Sequence, residues 1–417
     1  MLYVRPNYYE KFKCTADRCE ATCCAGWQIV IDETSLARYI TERGEYGEVL
    51  RGRIDWEEGV FKQDCRNRCA FLKADNLCDM YEQLGEESLC FTCMNYPRHI
   101  EEFEDLREIT LAISCPEVAK VILGQKEPVR FVEEEIEENE IEENESENDA
   151  DEVFGMDEEE VEPCEDDFDP FYFSYLEDAR KIMLSILQDR SLSVAVRTAL
   201  VQKMAEEMQE IIEEGNLFDL ADVFDKYEAT EDQPREKETN ADLTNAVRET
   251  ESALRVFYEN TEEYFRYAKA VFERLYELEH LSEIWEDYLE QCGKTLFGAG
   301  PENYQEICRK FQTYCTRELF GDVEMEIILE QLLVYFVFTY FCGAVYDDNV
   351  IGKVRMAVDS VHIIYQMCMA KWAEQNESLS AKDIRQIVYR YSRELEHSDV
   401  NLELMENARM EKLRCVD

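Results

Sequence analysis

Ten cysteines stand in the first 125 residues, at positions 14, 19, 23, 24, 65, 69, 78, 90, 93 and 115. They fall into two runs, Cys14-x4-Cys19-x3-Cys23-Cys24 and Cys65-x3-Cys69-x8-Cys78-x11-Cys90-x2-Cys93, with Cys115 following in Ser-Cys-Pro. Thiolates are soft ligands that suit zinc, iron and iron–sulfur clusters. Close spacing lets one turn deliver two sulfurs to the same ion with little loss of chain entropy. About four thiolates complete one zinc site or one four-iron cluster, so this region holds enough for two centres. Adjacent Cys23 and Cys24 point in different directions and need not share a metal. Isolated cysteines are ordinarily buried, unligated thiols, but this density argues for a metal centre. His99 lies near the second run, where a surface imidazole is the commoner reading. Cys164, Cys292, Cys308, Cys315, Cys342, Cys368 and Cys415 lack ligand spacing and read as core or surface thiols.

The metal reading depends on compartment. The opening MLYVRPNYYEKF has no apolar core of a secretory signal. The longest uncharged apolar run is Leu332 to Tyr346, 15 residues bracketed by Glu330 and Asp347. A membrane span needs about 20, so this run reads as a buried core helix and no membrane association is expected. A cytoplasmic protein follows, in which thiols stay reduced and clustered cysteines point to metal or catalysis before disulfides. The 44 basic and 95 acidic side chains give a net charge of −51. That balance disfavours nucleic acid as a partner, because phosphate contacts need clustered Lys and Arg.

Familiar catalytic motifs are absent. The Cys-x3-Cys-x2-Cys triplet of radical S-adenosylmethionine enzymes is not present, because neither Cys19-x3-Cys23 nor Cys65-x3-Cys69 has the third member. No dinucleotide-binding glycine fingerprint follows a strand, and there is no P-loop, Gly-x-Ser-x-Gly or His-Glu-x-x-His.

The elements that must position the cysteines divide the chain into three. Residues 1–125 form the cysteine-rich region. Trp27, Ile29 and Ile31 alternate with Gln28 and Val30 and suggest one short strand, and Asp32 or Thr34 could cap a helix through Tyr39 and Ile40. Such a region can lack a large core and be pinned by its metal. Residues 126–170 read as an acidic disordered linker: positions 133–169 hold 22 Asp or Glu and no Lys or Arg. The linker supplies −22 of the −51, leaving −29 on the rest of the chain. Residues 171–417 are expected to be helical. Leu176, Ala179, Ile182, Met183 and Ile186 fall at spacings of three and four, as do Leu254, Phe257, Tyr264, Ala268, Val271 and Leu275. A further stripe, Ile384, Ile387, Val388, Tyr391 and Leu395, follows Ser380 and Asp383, which resemble a capping box. A polar loop is expected near 228–252. The fold class is therefore mainly α: a small cysteine-rich metal-binding region joined by an acidic linker to a helical bundle.

These residues carry a family resemblance. Cys14-x4-Cys19-x3-Cys23-Cys24-Ala-Gly-Trp27 resembles the opening of flagellin lysine-N-methylases. The likeness runs on through Cys69-Ala-Phe-Leu72, Cys78-Asp-Met-Tyr81, Leu89-Cys90-x2-Cys93, Asn95-Tyr-Pro-Arg98 and Leu111-x3-Cys115-Pro-Glu117. Near the C-terminus, Tyr391-Ser-Arg393-x3-His397 is similar to a short family segment. The same core also resembles a wider group of small zinc- or iron-chelating domains, whose first cysteines are usually spaced more tightly. The resemblance covers residues 3–124. It implies methyl transfer from S-adenosylmethionine to lysine ε-amines of flagellin, and a zinc or iron–sulfur centre. With it, the candidate metal ligands are Cys14, Cys19, Cys23, Cys24, Cys69, Cys78, Cys93 and Cys115. No residue stands out as catalytic or donor-binding. Two other readings remain open: a non-enzymatic metal-chelating or iron–sulfur scaffold, and a redox sensor controlling a helical interaction domain.

Methylating a lysine requires its amine to lose a proton from a pKa near 10.4, which a desolvating aromatic site assists. A sulfonium donor also favours aromatic faces. Tyr8, Tyr9, Trp27, Tyr81 and Tyr96 lie among the cysteines, where packing is their ordinary role. Arg393, Glu394 and His397 read as a solvated helix face. The acidic surface would draw in a lysine-bearing substrate over a Debye length of about 8 Å.

Overall fold

The computed structural model describes residues 1–135, 168–228, 241–281 and 283–408. The acidic stretch expected to be a disordered linker lies mostly outside the described residues, as do Cys164 and Cys415.

The N-terminal part is more than a metal-pinned loop region. Strand β1 (Leu2–Pro6) opens the chain, and α1 (Glu33–Thr41) and α2 (Glu45–Arg53) follow. Asp32 caps α1 as expected, its carboxylate accepting the Ser35 N–H. The short strands β2 (Ile54–Asp55) and β3 (Val60–Phe61) pair antiparallel, and α3 (Asp79–Leu84) and α4 (Phe91–Asn95) carry the second cysteine run. The strand expected at Trp27–Ile31 is reduced to isolated bridges, Ala25 with Arg68 and Val30 with Val60. Ile29, Ile31, Tyr39, Leu50, Phe61 and Phe71 form a small apolar core under the cysteines, so this region buries more than its sequence led one to expect.

Strands β4 (Arg98–Phe103) and β5 (Leu106–Leu111), helix α5 (Pro116–Leu123) and β6 (Phe131–Glu135) complete the N-terminal part. The sheet order is β4-β5-β1-β6, with β1 parallel to β5 and antiparallel to β6. Residues 131–135, assigned from sequence to the acidic linker, are thus a paired edge strand. Glu133, Glu134 and Glu135 are exposed on this edge strand, the kind of charge that protects an open strand from further pairing.

The rest is helical: α6 (Pro170–Leu187), α7 (Val194–Glu214), α8 (Leu220–Tyr227), α9 (Ala241–Glu259), α10 (Thr261–Glu273), α11 (Glu283–Phe297), α12 (Pro301–Cys315), α13 (Met325–Tyr340), α14 (Val350–Glu374), α15 (Ala381–Glu396) and α16 (Asp399–Glu406). Of the polar stretch expected to be a loop near 228–252, residues 241–252 are helical, in α9, and 229–240 lie outside the described residues. Ser380 and Asp383 form the expected reciprocal capping box on α15. Helix α13 and the turn after it, Met325–Tyr346, are long and apolar enough to cross a membrane, but 78% of the most apolar window is buried inside the protein. They form the centre of the bundle, as the apolar run predicts.

Sheet and bundle share one hydrophobic core, in which Tyr3, Ile109 and Ile113 pack with Leu176, Met183 and Phe336. Buried ion pairs reinforce it. Arg180 on α6 holds Glu108 on β5, with both side chains buried, and its guanidinium lies over the Phe338 ring. Glu330 on α13 is fully buried between Arg190 and Arg197. Such pairs contribute little net stability, but leaving one partner buried alone is costly.

Candidate functional site: the cysteine groups, their junction with the bundle, and a tyrosine-walled cavity

The loop 14–24 and the turns around 69, 78 and 90–93 bring the cysteines into two electrostatic neighbourhoods. Cys23 is pushed well up by the hydrogen bond it shares with Cys24 and by burial, with Cys14 and Cys115 adding negative charge nearby. Cys115, pushed up by burial to about 11, also faces Cys19 and Cys14. Cys24 belongs to the other side. The bond to Cys23 and, more weakly, the Arg68 guanidinium pull it down to about 7 against its burial. Cys69, raised by burial to about 12, faces Cys24, Cys78 and Cys90. Cys93 is raised by its bond to Cys90 and by burial, and lies near Cys24 and Cys69.

Among the predicted ligands, Cys14, Cys19, Cys23 and Cys115 thus form one group, and Cys24, Cys69, Cys78 and Cys93 gather around Cys90 in the other. The adjacent pair Cys23–Cys24 stands where the two meet. Cys90, not among the predicted ligands, is fully buried and hydrogen-bonded to Cys93. Cys65 is exposed. In donor chemistry these thiols suit a thiolate-bound centre, but their placement does not assemble one. The close convergence expected from the spacing is not present: among the described residues no three His, Cys, Asp or Glu side chains lie close enough together to hold one metal ion.

Beside the first group, the C-terminal helix α15 docks on the cysteine region. Arg393 donates from Nε to the Ser114 carbonyl at 3.0 Å and from Nη2 to the Ala21 carbonyl at 2.6 Å. His397 Nε2 lies 3.0 Å from Ser114 Oγ, and its ring sits 4.4 Å from the Trp27 indole and 6.0 Å from Tyr96. Burial and the Arg393 charge lower His397 to about 3, so its ring is neutral, and its buried Nδ1 has no partner among the described residues. Next to it, Glu396 takes hydrogen bonds from the hydroxyls of Tyr335 and, at 3.2 Å, Tyr340. Burial raises this carboxyl to about 7, partly offset by those bonds and by the nearby His99. Glu394 is also buried; it accepts the Leu281 N–H at 2.7 Å and is raised by burial to about 7.

These contacts correct the sequence reading. Arg393, Glu394 and His397 are buried or half-buried contact residues and not a solvated face. His99 is half-buried, 2.9 Å from Glu101 and facing the Tyr340 ring, and is no surface imidazole. The apolar stripe of α15 faces the bundle, and its polar side is covered by the cysteine region at Arg393 and His397 and by Leu281, Tyr335 and Tyr340 of the helical part at Glu394 and Glu396. Tyr335, Tyr340 and Glu396 carried no sequence signal.

A cavity of about 490 Å³ opens elsewhere in the bundle, between the start of α7, the end of α9, α10, the start of α13 and the middle of α14. Its walls include Phe257, Tyr258, Tyr264, Tyr267, His362 and Tyr365. In the sequence Phe257 and Tyr264 read only as members of a core stripe.

A profile of the FliB lysine N-methylase C-terminal domain matches residues 180–415, more than half of the chain. The chain belongs to the FliB lysine N-methylase family. The lysine-N-methylases of Salmonella typhimurium and Salmonella choleraesuis are each 25% identical over 140 residues, covering 31% of this chain and 35% of the relative. The flagellar biosynthetic protein FliU of Salmonella muenchen is 25% identical over 137 residues, covering 31% of this chain and 80% of that protein. The chain thus spans about a third of the length of the two lysine-N-methylases it matches. No solved structure matches. The FliB-family segment contains α15 with Arg393 and His397, and every residue lining the cavity.

Proposed function

We propose that this protein transfers methyl groups from S-adenosylmethionine to lysine side chains of flagellin. The observation that carries this reading is the FliB lysine N-methylase match over residues 180–415. The likeness to a flagellar biosynthetic protein supports flagellin as the substrate. The acidic charge of −51 suits a lysine-bearing partner, because opposite charge raises the encounter rate at low salt. The reduced thiols suit the cytoplasm, where unassembled flagellin would be met.

We further propose that the two cysteine groups each hold a metal or iron–sulfur centre, built from Cys14, Cys19, Cys23 and Cys115 in one case and from Cys24, Cys69, Cys78, Cys93 and Cys90 in the other. A bound cation would draw the thiols of each group together and favour the thiolates of Cys23 and Cys93, which their hydrogen bonds to Cys24 and Cys90 and burial now keep protonated. It would also lock the loop 14–24 on which Arg393 bears. What this chain's own residues do is hold the centre against α15: Arg393 fixes the Ala21 and Ser114 carbonyls, and the rings of Trp27, Tyr96 and His397 pack together at the junction.

The test is direct. Anaerobically purified protein, given S-adenosylmethionine labelled in the methyl group and a cognate flagellin, should place label on flagellin lysines. Protein with full metal content that leaves flagellin unlabelled would remove the methylase reading and favour a metal-chelating scaffold.

A further inference from the structure

We infer that the tyrosine-walled cavity of the bundle receives the substrate lysine side chain; this inference rests on the methylase reading. Its volume of about 490 Å³ is that of a small-ligand site. The rings that wall it meet edge to face: Phe257 with Tyr258 and with Tyr267 at 5.5 Å, and Tyr267 tilted against His362 at 5.6 Å. Each edge-to-face pair covers the face of only one of its two rings, and the face of a tyrosine attracts an organic cation. These rings are reachable: Tyr258 is 39% exposed, and Tyr267, His362 and Tyr365 are half-buried.

Charge narrows the ligand further. No Lys or Arg lines the cavity, whereas Glu324 and Glu326 do, both exposed. Glu326 is engaged: it accepts the Val194 N–H at 2.8 Å and lies 3.5 Å from Arg197. Glu324 has no ion-pair partner among the described residues, so its carboxylate can face an incoming cation. His362, held neutral by burial with a value of about 4, adds no positive charge. Its Nε2 is taken up by Gln366 at 2.7 Å. Arg274, whose charge reaches Tyr267 and His362 from outside the lining, is ion-paired with Asp359, so an anionic ligand would find no cation in the cavity wall. S-adenosylmethionine carries a carboxylate beside its sulfonium and is disfavoured for that reason. A lysine side chain presents an aliphatic stem to Leu329 and Val361 and an ammonium to the rings and Glu324.

The experiment titrates the full-length protein by calorimetry with a short flagellin-derived peptide containing one lysine, and with the same peptide carrying norleucine instead. The inference expects the lysine peptide to bind about tenfold more tightly than its norleucine counterpart, the size of one good cation–aromatic contact. Tyr267→Leu and Glu324→Gln should each erase much of that preference, while Tyr267→Phe, which keeps the ring, should retain it. Equal binding of the two peptides would overturn the inference, as would Tyr267→Leu protein that is folded by circular dichroism and keeps the full preference. Displacement of the lysine peptide by S-adenosylmethionine with loss of donor binding in Tyr267→Leu would also overturn it, by assigning the cavity to the donor. Methyl transfer separates the two readings. Wild type that methylates flagellin, with an unchanged KM in Tyr267→Leu, refutes the cavity assignment alone. Wild type that binds lysine through Tyr267 but never methylates refutes the methylase reading alone.

Discussion

The imidazole of His397 lies against the indole of Trp27, with ring centroids 4.4 Å apart, although the two residues come from opposite ends of the chain. Around this contact Arg393 fastens the Ala21 carbonyl, inside the first cysteine run, to the end of α15. The cysteine loop is therefore held by the helical part as well as by any metal.

Arg393→Ala should release that loop. Hydrogen bonds from a charged donor contribute about 1.5–3 kcal/mol, so the loss should appear as faster alkylation of Cys19 and Cys23 and a lowered unfolding midpoint. Arg393→Lys should recover only part, because an ammonium lacks the guanidinium's fixed geometry for reaching two carbonyls. Alkylation rates unchanged in Arg393→Ala would show that the loop does not depend on α15.

The buried carboxyl of Glu396 gives a pH signature. Its folded value is raised to about 7, above an unfolded value near 4.3. Between those limits the folded state binds the proton more tightly. This group's contribution is therefore fully present below about pH 4 and is lost as pH rises to 7. His362 and His397, lowered to about 4 and about 3, act in the opposite sense below about pH 6.5. Comparing wild type with Glu396→Gln cancels them. The stability of Glu396→Gln relative to wild type should rise between about pH 4 and 7, as read from urea midpoints. A difference independent of pH would contradict the assignment.

Glu330→Gln should be strongly destabilising. It leaves Arg190 and Arg197 without the carboxylate that both engage, and breaking a buried pair costs about 3–5 kcal/mol. Chemical denaturation of the purified variant measures this; a loss below about 1 kcal/mol, the level of a surface pair, would mean that the buried carboxylate is dispensable.

Cysteine variants separate the two proposed centres. Cys23→Ser should lower the metal of the first group and Cys24→Ser that of the second, each leaving a remainder. Cys65→Ser should leave metal content at the wild-type level, since Cys65 is exposed. Elemental analysis of anaerobically purified protein reads all three, and equal metal content in Cys23→Ser, Cys24→Ser and wild type would rule the centres out.

Local signals in the sequence were legible, and tertiary burial of polar groups was not. The Asp32 cap and the Ser380–Asp383 box depend only on residues three apart, and both are present. The apolar run that begins within α13 pointed to the bundle centre because 15 uncharged apolar residues are short of the about 20 a span needs and must be covered by protein. The four-stranded sheet was missed, since it pairs residues 2–6 with 106–108 and 131–135 across long intervals, and its acidic edge strand has linker composition. Arg393, Glu394 and Glu396 look like a wet helix face until the surrounding elements cover them. The cavity was invisible for a similar reason: its aromatic residues come from several helices, and each looks like core within its own.

The central claim is that this chain methylates flagellin lysines. It is tested most directly by co-expressing the chain with a cognate flagellin in a host that leaves that flagellin unmodified, and mapping flagellin peptides by mass spectrometry. The account predicts Nε-methyl-lysine in flagellin only when the chain is present; flagellin left wholly unmodified beside soluble, folded, metal-loaded protein would contradict it.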